Sequence, residues 1–186
     1  ADSRRCTGGD IGEEIVAGIS GGEAPFEEPQ LASYLTEAVT NGNLRATTDT
    51  AAVSDHRFVA FTINAPRREV DRFLDAVGEY AEYLTDDHVV VVRSTLPVAT
   101  LKRLRTEIES RAAGSPSFAV FPERLAEGKA IEEIQTLPKV VGVDDRAAEE
   151  AVRKLLEPFD CELLVTDPET AMFVKLIDNS YRDAIF

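Results

Sequence analysis

Apolar positions along this chain alternate between two patterns. HVVVV (His88 to Val92), SFAVF (Ser117 to Phe121), KVVGV (Lys139 to Val143) and CELLVTD (Cys161 to Asp167) are short, nearly continuous apolar runs. Runs of that kind predict strands buried on both faces. Between them apolar residues return at helical spacing. Val70, Phe73, Leu74, Val77, Tyr80 and Tyr83 mark a helix over 69–84, and further helices are predicted over 101–112, 146–156 and from Pro168 onward. The first third is more broken. A short strand over 5–7 runs into Gly8-Gly9-Asp10, and a helix with apolar Ile15, Val16 and Ile19 closes at Gly21-Gly22. Pro25 and Pro29 mark a loop, a second helix over 31–39 ends at Asn41-Gly42, LRATTD reads as a short strand, and a buried strand over 56–63 breaks at Asn64-Ala65-Pro66. Strands and helices in alternation, with strands that do not alternate internally, predict a doubly wound parallel α/β sheet covered on both faces. There is no internal repeat.

The 186 residues suffice for one sizeable core or one domain plus part of a second. With 44% hydrophobic residues the composition is globular. No apolar run approaches the roughly 20 residues of a membrane span, and the first residues carry no basic-then-apolar leader pattern. Charge is lopsided: 34 acidic against 20 basic residues, a formal net charge of −14. Such a surface repels nucleic acid and anionic membrane, which excludes both as partners. Scarce Lys beside Arg, with abundant Asp, Glu, Ala, Val and Thr, points to a high-salt cytoplasm. The two cysteines, Cys6 and Cys161, match no metal or redox spacing and open predicted strands, where a small buried hydrophobe is expected. No metal site is expected.

Three groups of residues carry candidate chemistry. In FPERLAEGKAI, Glu123 and Glu127 follow a strand stopped by Pro122; a helical turn there would put both carboxylates on one face, at the strand end where open α/β sheets bind ligands. An ordinary acidic loop is the alternative. Asp10 stands between a strand and a helix, where an acid can accept ribose hydroxyls or cap the helix. On the last helix, Lys175 and Asn179 are one turn apart, as are Asp178 and Arg182; an ammonium beside an amide stabilises an oxyanion, unless both merely line a solvated face.

The ordered motifs NGNLRATTD, INAP, STLP, PERLAEGKAI, PKVVG and KLIDNSYRD resemble the UDP-glucose/GDP-mannose dehydrogenase family, and GDIGEEIVAGISGGEAPFEEPQL resembles its second strand and the helix and loop after it. The resemblance implies a Rossmann-like NAD domain, a central dimer-forming helix, and oxidation of a nucleotide sugar's primary alcohol to a carboxylate with two NAD per turnover. It divides the chain into a partial cofactor domain over 1–167 and the start of the central helix over 168–186. By the same resemblance Asp10 is the ribose-binding acid, and Ile63, Asn64 and Pro66 form the loop beside the cofactor. Ser94 and Thr95 contact NAD, Thr95 also a catalytic water. Glu123 is the general base and acid, Glu127 the acid near the nicotinamide. Lys175 and Asn179 stabilise oxygen on the reacting carbon, and Glu123 and Arg182 also touch the sugar. Substrate would be a UDP-hexose or a UDP-N-acetylhexosamine: NSYRD favours the second, AEG in the PER loop the first.

The chain also departs from the family pattern. Ala65 replaces a usual Thr, Ala99 a usual Gly, and Ile15 a basic residue often near the adenosine. The family's first strand with its GxGxxG turn, about 20 residues before the ribose acid, and its cysteine nucleophile are not in this sequence. Two readings follow: a dehydrogenase piece inactive alone, or a non-catalytic relative that binds a nucleotide sugar or serves dimerisation.

Overall fold

The computed structural model describes residues 5–65, 68–159 and 161–185. The chain divides into two compact units, one of residues 1–52 and 125–135, the other of 53–124 and 136–186.

In the first unit, β1 (Cys6–Gly9) lies parallel to β2 (Leu44–Thr47), with Cys6 opposite Leu44 and Gly9 opposite Thr47. Parallel strands need a crossover, here made by α1 (Glu13–Ser20) and α2 (Leu31–Thr40). No residue of these four elements is fully buried. Cys6 is therefore exposed, and Cys161 half-buried, contrary to the expected buried hydrophobes. The reason for Cys6 is that β1 belongs to a sheet of only two strands.

Gln30, the residue before α2, has φ +69°, in the left-handed region that L side chains other than Asn rarely adopt. Gln30→Gly removes that strain but adds chain entropy to the unfolded state. The expected net gain is about 0.5 kcal/mol, read as a higher urea midpoint, while Gln30→Ala gives no gain. Equal midpoints for the glycine variant and the wild type would show that the turn is not strained.

The second unit holds the sheet β3 (Phe58–Phe61), β4 (Val89–Val92), β5 (Ser117–Val120), β6 (Lys139–Val143), β7 (Leu163–Thr166), in that spatial order. Side chains alternate across the strands, so the four valines of β4, all buried, serve two cores. Val90 and Val92 join Phe73, Val77, Leu104 and Met172 under α3 (Val70–Ala81), α4 (Val98–Arg111) and α7 (Pro168–Ile185). Val89 and Val91 join Val141, Ala151, Val152 and Leu156 on the opposite face, under α6 (Arg146–Leu156). The apolar runs of β4, β5 and β6 are thus buried as they predict, whereas β7, at the edge of the sheet, has no fully buried residue and leaves Leu164 46% exposed.

The strands differ from the expected single all-parallel sheet in two ways: β1 and β2 form a sheet of their own, and β6 runs antiparallel to β5, with β7 then following β6. The connection from β5 contains only α5 (Ala130–Thr136), seven residues that group with the first unit. With no helix laid across this sheet to return the chain to its amino end, β6 enters from the carboxyl end of β5. No helix among the described residues is long and apolar enough to cross a membrane.

Candidate active site

Three strands of the second unit end in one region. β3 leads into Ile63 and Asn64, β4 into Arg93, Ser94 and Thr95, β5 into Pro122 and Glu123. Ligands bind open α/β sheets beyond such carboxyl ends. Ser94 is buried, and its hydroxyl donates to the carbonyls of Ile63 at 2.7 Å and Phe61 at 3.3 Å. It therefore shapes the loop beginning at Ile63 from behind, while Thr95 and Asn64 are exposed. Pro66, expected in the same loop, lies outside the described residues.

The helical turn expected after Pro122 does not form. Glu123 N–H donates to Arg93 O at 3.2 Å, continuing the strand pairing past the proline, and Glu123 Oε1 accepts from Arg124 N–H at 2.6 Å. Glu123 and Glu127 consequently do not share a face: the first is half-buried in the sheet unit, the second exposed in the other unit. The other oxygen of Glu123 is held by the Arg93 guanidinium, which also lies 4.3 Å from the centre of the Phe121 ring. Burial lowers the Arg93 pKa from the usual arginine value. Arg93 was not singled out by the sequence reading, though one cation directly behind four valines (VVVVR) was a visible signal.

Lys175 and Asn179 lie on α7, both half-buried. Asp167 caps this helix, accepting from Thr170 Oγ1 at 2.6 Å and Thr170 N–H at 2.9 Å, and those bonds hold its carboxyl below the ordinary range. Farther along, Leu96 N–H meets Met172 Sδ at 3.3 Å, and Arg124 Nε donates to Asp178 Oδ2 at 2.8 Å. α7 is thus tied to the loops after both β4 and β5. Lys175 makes no ion pair among the described residues. Its pKa falls below the ordinary lysine value, first through desolvation, then through the cations Arg182 and Arg124, with Asp178 opposing. Arg182 itself is exposed.

Asp10 is placed in the first unit, just beyond β1. Its Oδ1 accepts from Gly12 N–H at 2.7 Å, and its other oxygen has no partner among the described residues. The helix is preceded by Gly12 rather than capped by Asp10. A Cβ at Gly12 would sit 3.2 Å from Asp10 Oδ1, so the glycine leaves room for the bond that this oxygen accepts.

Residues 2–160 match the UDP-glucose/GDP-mannose dehydrogenase family, NAD binding domain. The chain belongs to that family. Its cofactor is NAD, and the residues present fit the adenosine end: a carboxylate with one oxygen unengaged, at a strand end before a helix, is able to accept ribose hydroxyls. Among relatives, UDP-N-acetyl-D-mannosamine dehydrogenase of Methanococcus vannielii is 29% identical over 95% of this chain and 42% of that protein. UDP-glucose 6-dehydrogenase TuaD of Bacillus subtilis is 26% identical over 92% of this chain and 39% of that protein. Among solved structures, a UDP-glucose dehydrogenase from Pyrobaculum islandicum superposes with TM-score 0.87 at 25% identity over 95% of this chain and 44% of that one. GDP-mannose dehydrogenase of Pseudomonas aeruginosa, in a ternary complex, shares the fold, with TM-score 0.89 at 22% identity over 97% and 45%. The chain therefore spans less than half the length of these four relatives.

Proposed function

We propose that this chain is the cofactor-binding part of a cytoplasmic nucleotide-sugar 6-dehydrogenase that serves polysaccharide synthesis. Its substrate is a UDP-hexose or UDP-N-acetylhexosamine, whose primary alcohol becomes a carboxylate. NAD supplies the hydride acceptor. The chain's own residues do the rest: Asp10 holds ribose hydroxyls, and Ile63, Asn64, Pro66, Ser94 and Thr95 form the cofactor-side loops. Glu127 lies near the nicotinamide. Glu123 exchanges protons with the substrate or a water held by Thr95, Lys175 and Asn179 stabilise oxygen on the reacting carbon, and Arg182 contacts the sugar. The observation that carries this reading is the partly desolvated Lys175, on a helix tied by Arg124–Asp178 to the loop that bears Glu123. An ammonium stripped of some water donates more strongly to a developing alkoxide. In a full-length protein containing this chain, two NADH should form for each UDP-sugar consumed, with a uronate as product. One NADH per sugar, or none, would overturn the reading.

The proposal includes a homodimer built on α7. Phe173, Ile177, Tyr181 and Ile185 recur every fourth residue and are 57%, 52%, 67% and 56% exposed, an apolar stripe along one side of the helix. It also includes adaptation to high salt. Screening relieves the self-repulsion of the net −14 charge, so the melting temperature should climb steadily from dilute buffer to molar KCl. A salt-independent melting temperature would remove that part.

A further inference from the structure

The segment that bears Glu127 is held by carboxylates from elsewhere in the sequence. Glu28 Oε2 accepts from Gly128 N–H and Glu28 Oε1 from Ala130 N–H, each at 2.8 Å, across about a hundred residues of chain. Glu133 reaches back to Ala126 N–H at 2.7 Å, and Lys129 N–H closes the turn on Ala126 O at 3.1 Å. Gly128 has φ +81°, and a Cβ there would meet nothing within 4 Å, so the backbone conformation alone asks for glycine. The amides of Gly128 and Ala130, on either side of the Lys129 amide taken by Ala126 O, each donate to one oxygen of the same Glu28 carboxylate. Glu28 is itself anchored: its carbonyl accepts from Leu31 N–H at 3.1 Å, and Pro29 restricts the next residue.

We infer that Glu28 is a positioning residue for Glu127: by holding the amides on either side of Lys129, it fixes the turn from which the exposed Glu127 side chain projects. The functional half rests on the role proposed above for Glu127. The clamp rests on geometry alone. Because Glu127 and Asp10 fall in the same unit, the clamp places the acid proposed for the nicotinamide end on the framework that carries the ribose acceptor, and not on the sheet that carries Glu123. Two residues four apart in sequence are thereby assigned to separate frameworks.

Glu28→Gln tests both halves. A glutamine keeps one acceptor oxygen and turns a donor toward the second amide, so at least one of the two bonds is lost. In this chain, amide exchange at Gly128 or Ala130 should quicken about tenfold, as for loss of a charge-assisted bond, with circular dichroism and melting confirming a folded variant. Unchanged exchange at both amides would overturn the clamp. In a full-length protein, Glu28→Gln and Glu127→Gln should each raise the KM for NAD about tenfold while leaving the KM for the nucleotide sugar in place. The double variant should be no worse than Glu127→Gln alone, because one residue acts through the other. A Glu127→Gln effect without a Glu28→Gln effect, or two effects that simply add, would overturn the positioning role. If exchange quickens yet Glu127→Gln leaves the KM for NAD untouched, the assignment of Glu127 fails, and the functional half of the inference is overturned with it.

Discussion

Gly142→Ala should lower the stability of this chain by about 3 kcal/mol, at the upper end of ordinary overpacking effects. Gly142 sits inside β6, paired with Thr166 of β7 and Val120 of β5, and is buried. A Cβ there would stand 2.5 Å from Pro168 Cα and 2.6 Å from Asp167 O. Both atoms are backbone, at the start of α7, and neither can rotate away. The helix must lift from the sheet or β6 must bend, and either move disturbs the packing of Ala171 and Met172 in the core. Gly78 is a useful contrast: the three atoms nearest its added Cβ all belong to the end of the Arg111 side chain, from 2.7 Å, and that flexible group can swing aside. Urea unfolding of Gly142→Ala and Gly78→Ala should separate by at least about 2 kcal/mol. Near-equal losses would show that α7 does not lie against β6 at this glycine. The same geometry gives the PKVVG motif a physical reason, since α7, which carries Lys175 and Asn179, begins directly over its last glycine.

The sheet unit was largely legible because its elements obey single periodicities. The helix expected over 146–156 is α6 to the residue, with Asp145 as its cap: Oδ1 accepts from Ala148 N–H at 2.7 Å. The HVVVV run contains β4. Failures fall where local rules compete with tertiary contacts. The helical turn after Pro122 looked natural from the spacing of Glu123 and Glu127, but a strand partner, Arg93 O, took the Glu123 amide. α5 went unread because AIEEIQT is only seven residues long and none of them is buried, so no apolar face announces it. The antiparallel turn of β6 follows from that short connection and leaves no mark on the strand itself, since KVVGV reads alike in either direction. Asp10, Ser94 and Lys175 stand out in the sequence because a motif carries each of them, and the roles given to them belong to the proposed function. Arg93 holds Glu123, and Glu28 holds the Gly128 and Ala130 amides, from strands and loops distant in sequence, and such pairings become visible only once the chain is folded.

Lys175→Ala in a full-length protein containing this chain should slow NADH formation by about two to three orders of magnitude, roughly 3 to 4 kcal/mol of lost oxyanion stabilisation. Asn179→Ala should be milder, because a neutral donor bonds an oxyanion less strongly than a cation does. Glu123→Gln should fail at a different point. If the Glu123 carboxylate serves the water that completes the oxidation, a first burst of NADH survives its loss and a covalent adduct builds up, visible by mass spectrometry; Lys175→Ala suppresses the burst itself. Lys175→Arg should not rescue it, since the planar guanidinium cannot occupy the place of a compact ammonium. The pH dependence has a definite sign. Desolvation first, then Arg182 and Arg124, lower the Lys175 pKa from the ordinary lysine value. The ammonium is therefore lost as pH rises through that lowered value, and the alkaline limb of the rate profile should lie below the usual lysine range. Arg182→Ala should move the limb upward and Asp178→Asn downward, because they remove a lowering and a raising charge respectively. The matching effect on stability runs the other way: the folded state disfavours the charged form, so this destabilising contribution fades as pH rises from the lowered pKa toward the unfolded one. A carbon-detected titration of the Lys175 side chain in this chain should place its midpoint below the ordinary lysine value. A Lys175→Ala variant within threefold of the wild-type rate would show that the oxygen on the reacting carbon is held by some other group.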